Sequence, residues 1–296
     1  MSSIHAFPRS WTFQRALNNR RRPLTTKLRR ATPKTAETVL RPIHPNIGIE
    51  LEYRRQLLKM IDAMAKSVEY WLTATYRQNE PRIAQDESPA DALRRSMKEL
   101  SKRWLDKFDE MSVKLAEYFA QSVEKRSTLA MKKILKDGGW TVKFQITPAM
   151  RDVIDATVHE NVSLIKSIPQ QYLSQVEGIV MRGVQNGRDL GVISKELQDR
   201  LGVTRRRAAL ISRDQTNKAT ASLSRARQIE LGIEEAVWVH SGGGREPRPT
   251  HLKAGRDKVK YNIREGWYDP HEQRHIQPGE LINCKCVGRP VIKGFN

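Results

Sequence analysis

Apolar residues recur at helical spacing between residues 47 and 137. Steps of three and four residues place a set on a single helical face, and a first set comprises Leu57, Ile61, Met64, Val68 and Trp71. A second set keeps these steps over several turns and comprises Leu93, Met97, Leu100, Trp104, Phe108, Met111, Leu115 and Tyr118. A sustained stripe is typical of a helix packed lengthwise on another. The sequence therefore predicts long packed helices here, interrupted by the polar, proline-containing segment 78–89.

Glycine and proline residues divide the following region into shorter predicted elements. Asp137-Gly138-Gly139 ends the long-helix region, and the alternation of apolar and polar residues that follows is typical of a strand. A proline inside a helix removes a backbone hydrogen bond, so we expect a break at Pro169. The predicted elements are a strand over 140–146, a helix from Pro148 to that break, and helices over 172–184 and 194–201. After a break at Gly202, a last predicted helix is capped by Thr204 and runs to Leu231.

The composition changes after Gly232, where glycine, proline, arginine and histidine become frequent. Residues 236–240 form a predicted strand, and the remainder reads as loops with short strands. The expected fold is mainly α, with long packed helices followed by a small α+β C-terminal module. Its expected regions are a basic arm over 1–46, a long-helix region over 47–137, a helical middle region over 138–202 and the C-terminal module over 203–296.

The chain is strongly basic, with 53 Lys and Arg residues against 33 Asp and Glu residues and a net charge of +20. Such a charge attracts polyanions, nucleic acid among them. Glu37 is the only acidic residue of the arm, and five prolines interrupt any long helix there. We expect the arm to be extended and ordered only on a partner, although a plain disordered tail fits equally well. Its predicted DNA contacts are Arg20, Arg21, Arg22, Arg29 and Arg30.

A second basic group, Arg205, Arg206 and Arg207, stands at the predicted start of the last helix. Cations there oppose the helix dipole, so the group is either a phosphate contact or a solvated face. A helix-turn-helix over 194–213, with Gly202 in the turn, is a further possibility, but no base-reading set accompanies it. The charge therefore supports only non-specific contact with DNA.

No membrane or extracellular feature is evident in the sequence. No apolar run approaches the ~20 residues that span a bilayer, and the N-terminal residues contain no apolar stretch of signal-peptide length. Two cysteines do not form a disulfide framework, which favours a reducing compartment. We therefore expect no membrane partner.

Several separated motifs in the last third of the chain resemble the phage Mu F-like head morphogenesis family of minor head, or minor capsid, proteins. They are Ser212 to Lys218, Arg225-Ala226-Arg227, Leu231-Gly232-Ile233, Val237-Trp238, Arg248 to His251, Gly255, Pro278 to Cys286 and Pro290-Val291. The resemblance covers about 180–293. The chain departs from the family pattern at 242–247, where a glycine-rich segment replaces an Asp-containing turn, and at Lys285, where Arg is usual.

The resemblance implies a non-enzymatic protein that acts in procapsid assembly with portal, scaffold or major capsid protein. It implies a place inside the virion near the portal vertex, in contact with packaged DNA, after assembly in the host cytoplasm. Two alternatives stay open: a non-specific DNA-binding internal virion protein, and a metal-dependent nuclease or toxin-type enzyme. The scattered carboxylates of the module supply no Mg²⁺-binding motif for the second alternative.

Potential metal ligands are concentrated in the C-terminal module: His251, His271, His275, Cys284 and Cys286. Zn²⁺ favours four thiolate or imidazole ligands, and a loop-rich module gains most from a structural metal. His251, both cysteines and either His271 or His275 would supply four ligands. The spacing matches no recognised zinc finger, so the alternative is a pair of buried thiols with hydrogen-bonded histidines.

A polar cluster on the last predicted helix comprises Arg213, Asp214, Gln215 and Asn217, to which Arg248 is added from the module. The cluster could order the C-terminal loops through buried hydrogen bonds and an ion pair, or it could form an active site. Arg213 and Asp214 lack a matching base and nucleophile, which favours the structural role.

Overall fold

The computed structural model describes residues 29–30, 37–78, 89–185, 190–243 and 246–293. Its helices are α1 (Ile47–Gln78), α2 (Pro89–Asp137), α3 (Pro148–Gln185), α4 (Leu190–Glu230) and α5 (Pro249–Arg256). Its strands are β1 (Arg29–Arg30), β2 (Thr38–Val39), β3 (Trp140–Thr141), β4 (Glu235–Val239), β5 (Lys260–Asn262), β6 (Trp267–Asp269), β7 (Arg274–Ile276) and β8 (Val287–Ile292). The expected fold class, long helices followed by a small strand-containing module, is confirmed.

The four long helices form an up-and-down antiparallel bundle. The end of α1 meets the start of α2 at Thr75 and Ser96, while Tyr53 near the start of α1 stacks on Phe119 of α2. Buried apolar side chains from all four helices form one continuous core, including Leu57, Ile61, Met64, Leu93, Met97, Phe108, Ile165, Val176 and Ile211. At about 1.5 Å per residue, the 49 residues of α2 extend over ~74 Å. None of the helices in the described part of the chain is long and apolar enough to cross a membrane.

The predicted break at Pro169 is wrong, because α3 continues through this residue. Pro169 is itself buried, and Ile168, Tyr172 and Leu173 around it belong to the bundle core. A proline costs a helix one backbone hydrogen bond. Burial of the surrounding side chains outweighs that cost, which the local sequence could not reveal.

The predicted breaks at Gly202 and Thr204 are also wrong, since α4 is one helix from Leu190 to Glu230. The Thr204 hydroxyl donates to the Arg200 carbonyl (3.0 Å), a contact of a helix interior and not of an N-cap. The possible helix-turn-helix over 194–213 is therefore absent. The expected boundary between residues 202 and 203 falls inside this continuous helix.

The C-terminal module is built on a four-stranded antiparallel sheet in the order β2-β8-β4-β5. β6 and β7 form a separate hairpin. Trp238 is fully buried in a second core, which also receives Met131 and Leu135 from the end of α2. Because α2 contributes to both cores and α4 leads directly into β4, the module is packed on the bundle.

The final part of the expected arm belongs to the folded module, which corrects the prediction that the whole arm needs a partner to order it. β2 pairs with β8, Leu40 is buried, and its backbone N–H donates to the Pro290 carbonyl (2.8 Å). Lys260 forms an ion pair with Glu37 (2.6 Å). A single buried leucine in a short, proline-flanked segment gave no periodicity from which this strand could be predicted.

Near the bundle, β1 pairs with β3, which has two residues where seven were predicted. The rest of that predicted strand is irregular, and its Val142 is buried in the second core. Arg20, Arg21 and Arg22 lie outside the described residues.

Candidate functional site

Three potential metal ligands converge inside the C-terminal module. His251 lies on α5, and Cys284 and Cys286 lie in the turn that leads into β8. The His251 Nδ1 atom is 3.5 Å from the Cys284 sulfur and 3.7 Å from the Cys286 sulfur, and the three ligand atoms lie within 4.8 Å of one another. All three residues are buried. We call this group the His-Cys-Cys cluster.

Local packing fixes the position of His251. Pro249 occupies the first turn of α5, where its missing N–H is no loss. Gly255 lets α5 approach β4 closely, because a β-carbon there would lie 2.7 Å from the His240 backbone nitrogen. The His251 ring packs edge-to-face on Trp238, with 5.2 Å between ring centroids. The imidazole is therefore held between the helix and the sheet.

Hydrogen bonds around the two sulfurs favour a thiolate. The Cys286 thiol, and to a smaller extent His251, hold the pKa of Cys284 well below its usual range by hydrogen bonding to its sulfur. The same interaction raises the pKa of Cys286, since its ionisation would place two thiolates side by side. Backbone N–H groups of Gly279 and Ser241 favour the charged forms of Cys284 and Cys286, respectively.

Asp269, fully buried at the end of β6, stands behind the imidazole. Its Oδ2 atom is 3.4 Å from His251 Nε2 and accepts a hydrogen bond from the Thr250 hydroxyl (3.1 Å). Its Oδ1 atom accepts the His271 backbone N–H (2.9 Å). His251 thus presents Nδ1 to the sulfurs and Nε2 to a carboxylate. Asp269 could not be predicted from the sequence, because one aspartate among scattered acidic residues carries no signal.

His271 and His275 lie outside the cluster. The His271 side chain is 77% exposed and near Glu272, and the exposed His275 ring packs on Tyr268. The structure brings together three of the five predicted ligands, and the metal itself remains a prediction. The short hairpin β6–β7 directs these histidines to the surface, which residue spacing alone could not indicate.

The predicted polar cluster holds the turn that carries the cysteines. Asp214 accepts the Asn283 backbone N–H (2.7 Å) and pairs with Lys218 (3.1 Å). Asn217 donates to the Cys284 carbonyl (3.3 Å). Since Asn283 has a positive φ of 61°, this turn depends on such contacts for its conformation. The hydrogen bonds and the ion pair of this polar cluster are of the kind expected if the cluster orders the C-terminal loops.

Two arginines add to the same arrangement. Arg213 donates to the Asn283 side chain (3.0 Å), and both terminal nitrogens of Arg248 donate to the Ile282 carbonyl (3.2 Å each). The fourth helix residue, Gln215, faces the opposite way. It donates to Glu160 (2.9 Å) and accepts from Asn161 (3.0 Å), and so it joins α4 to α3.

The second basic group lies within α4 and not at a helix start. Arg205 and Arg206 are both exposed; Arg205 donates to Asp62 of α1 (2.8 Å), and the half-buried Arg207 donates to the Ser167 hydroxyl (2.8 Å). Burial lowers the pKa of Arg207. Two of the three predicted phosphate contacts are therefore engaged within the bundle. Arg29 and Arg30 form β1.

A buried arginine joins the bundle to the segment before α3. No sequence pattern marked it as a site. Arg227, 2% exposed, contacts Glu124 of α2 (2.9 Å) and Glu230 of α4 (3.0 Å). It also donates to the Gln145 carbonyl and lies over the Phe144 ring, 5.1 Å from its centroid. The only signal in the sequence was its place in the Arg225-Ala226-Arg227 motif of the resemblance.

The protein is thus a long-helix bundle with a compact C-terminal module that contains the buried His-Cys-Cys cluster. A family model described as "Phage Mu protein F like protein" matches residues 174–289, which confirms the resemblance expected over about 180–293. This part of the chain is therefore similar to the phage Mu F-like family. The match contains the end of α3, the whole of α4 and the module as far as the first residues of β8.

Comparison with curated proteins gives one further relationship. An uncharacterized protein of Haemophilus influenzae is 27% identical over 258 residues, which is 85% of this chain and 55% of that protein. The chain thus spans about half the length of this relative. No solved structure matches the chain.

Proposed function

We propose that this chain is a phage minor head protein that acts in procapsid and head morphogenesis and stays in the capsid interior near the portal vertex. The family match over residues 174–289 is the observation that carries the proposal. Its partners are the portal protein together with scaffold or major capsid protein. Host cytoplasm is the place of assembly, and the virion is the final location.

The geometry supports a structural role for the Mu F-like module. Asp214, Asn217 and Arg248 use their polar groups to hold the turn 282–284. A catalytic group needs to face a substrate, and these side chains face their own chain. We therefore propose that the protein acts without enzymatic chemistry.

The charge supports a second, non-specific contact with packaged DNA. The net charge is +20, and residues 1–36 contain nine basic residues and no acidic residue. Phosphate contacts of this kind give affinity without sequence preference. The corresponding alternative is an internal virion protein that binds DNA and has no portal contact.

Co-expression with the portal protein of the same phage tests the proposal. We expect a complex of defined stoichiometry that survives moderate salt, measured by size-exclusion chromatography with light scattering at several salt concentrations. The matched control is the chain without residues 1–36, which keeps β2 and the bundle. Retention of the complex by this control would show that portal binding does not depend on the positive charge of residues 1–36.

Absence of a complex at every salt concentration, together with tight salt-sensitive DNA binding, would reject the portal contact in favour of the DNA-binding alternative. Cleavage of DNA by the purified chain on addition of a divalent metal would contradict the non-enzymatic role.

A further inference from the structure

We propose that His251, Cys284 and Cys286 bind one Zn²⁺ ion and that this ion stabilises the C-terminal module. The inference is independent of the proposed head function, because it rests on the ligand geometry alone. Asp269 acts as a positioning residue that orients the His251 ring.

The distances in the cluster fit a tetrahedral site. Zn–S bonds of about 2.3 Å and Zn–N bonds of about 2.0–2.1 Å place the nitrogen and sulfur ligands of a tetrahedron about 3.6 Å apart. The Nδ1 atom of His251 is 3.5 Å and 3.7 Å from the two sulfurs. Both nitrogen–sulfur separations therefore already match those that a zinc ion requires. Two thiolates and one imidazole are also the soft donor set that favours zinc over magnesium or calcium.

The surroundings of the cluster resemble the outer shell of a zinc site. A metal-bound imidazole usually donates its other ring N–H to a carboxylate or carbonyl. Asp269 lies 3.4 Å from His251 Nε2, which forms no well-aligned hydrogen bond to any residue that the structure describes. A metal on Nδ1 would fix the proton on Nε2, and the Asp269 carboxylate would then accept it.

The position of the cluster gives the ion a structural role. It joins α5, which follows β4, to the turn that leads into β8, so an ion would bridge two segments separated by more than thirty residues. A small loop-rich module gains much of its stability from such a link. The alternative is a metal-free group in which the thiols and the imidazole only hydrogen-bond to each other.

The first test measures metal in the full-length chain, produced without a histidine tag in zinc-replete medium. We expect close to one zinc per chain by elemental analysis. Exchange for Co²⁺ should give the visible absorption of a tetrahedral ion with thiolate-to-metal charge transfer. Substoichiometric zinc together with no thiolate charge-transfer band would overturn the proposal in favour of the metal-free group.

Variants then separate the cluster from adventitious binding. Cys286→Ser should lose the zinc, whereas the double variant His271→Ala/His275→Ala, which removes two exposed histidines outside the cluster, should keep it. Loss of zinc from the histidine double variant alone would overturn the assignment. If Cys286→Ser fails to fold, the cobalt spectrum of the wild-type chain still decides whether thiolates bind the ion.

Asp269→Asn tests the positioning residue. Loss of an outer-shell partner typically weakens zinc affinity about 10- to 100-fold. We expect that weakening in competition with a chromophoric chelator, with the stoichiometry and the cobalt spectrum retained. Unchanged affinity would contradict the role of Asp269, while the ligand assignment would still rest on the first test.

Discussion

At the residue scale, Arg227 links α2, α4 and the segment before α3, although the sequence pattern did not mark it as a site. Its guanidinium is 2% exposed and contacts carboxylates that are 15% and 16% exposed. Removing one partner of a buried ion pair leaves the remaining charges desolvated without compensation, which usually costs more than the pair itself contributes. The neighbouring Phe144 ring and Gln145 carbonyl would lose a contact as well.

We expect Arg227→Ala to lower the free energy of unfolding by about 3 kcal/mol, because Glu124 and Glu230 lose their common counterion. Chemical denaturation monitored by circular dichroism measures the change. Arg126→Ala provides the control, since Arg126 is exposed on α2, and its effect should stay within about 0.5 kcal/mol. Equal effects of the two substitutions would refute the central role of Arg227.

Residue types indicated part of the candidate site but not its geometry. Cysteine and histidine are rare enough in this chain for their clustering to point to His251, Cys284 and Cys286. Whether His271 belongs with them depends on where a short hairpin directs its side chain, and residue spacing contains no such information. Asp269 is decisive for the imidazole, yet its residue type is too common to attract notice.

At the element scale, helical periodicity predicted where helices lie and failed at their boundaries. The stripe on α2 is buried at Leu93, Met97 and Phe108, as predicted, but Met111 and Tyr118 are exposed. Their neighbours Ser112 and Phe119 are buried instead. A strict seven-residue repeat drifts around a straight helix, so the buried positions shift by one residue along α2. Local rules for glycine and proline placed breaks inside α3 and α4, where bundle packing overrides them.

Two glycines test the continuity of α4. Gly202 lies inside the helix, and a β-carbon there would meet only the end of the Arg206 side chain at 3.6 Å. Gly232 follows the helix with a φ of +72°. We expect Gly202→Ala to stabilise the protein by about 0.5–1 kcal/mol and Gly232→Ala to destabilise it by about 1 kcal/mol.

Comparison of these two variants separates effects on the folded state from effects on the unfolded chain. Both substitutions reduce the freedom of the unfolded chain equally, so the difference between their melting temperatures reports the native backbone alone. Destabilisation by Gly202→Ala would indicate that α4 is interrupted there, as the sequence pattern had predicted.

At the scale of the whole molecule, nine of the basic residues lie in the acid-free N-terminal segment 1–36. Arg205 forms a surface ion pair with Asp62, and Arg207 donates to the Ser167 hydroxyl. Residues 1–36 contribute nine positive charges, and deleting them lowers the net charge from +20 to +11. If residues 1–36 supply phosphate contacts, deleting them must change how DNA binding depends on salt.

We expect deletion of residues 1–36 to reduce the slope of log affinity against log salt concentration, because each phosphate contact contributes about 0.9 to that slope, up to about 8 for nine contacts. Fluorescence anisotropy with duplexes of unrelated sequence measures the slope. The double variant Arg205→Ala/Arg207→Ala is the control and should change the slope far less than the deletion, since Arg205 is paired with Asp62 and Arg207 donates to Ser167. An unchanged slope after the deletion would show that residues 1–36 make no phosphate contacts. The contacts would then be assigned to exposed lysines and arginines of the helical bundle.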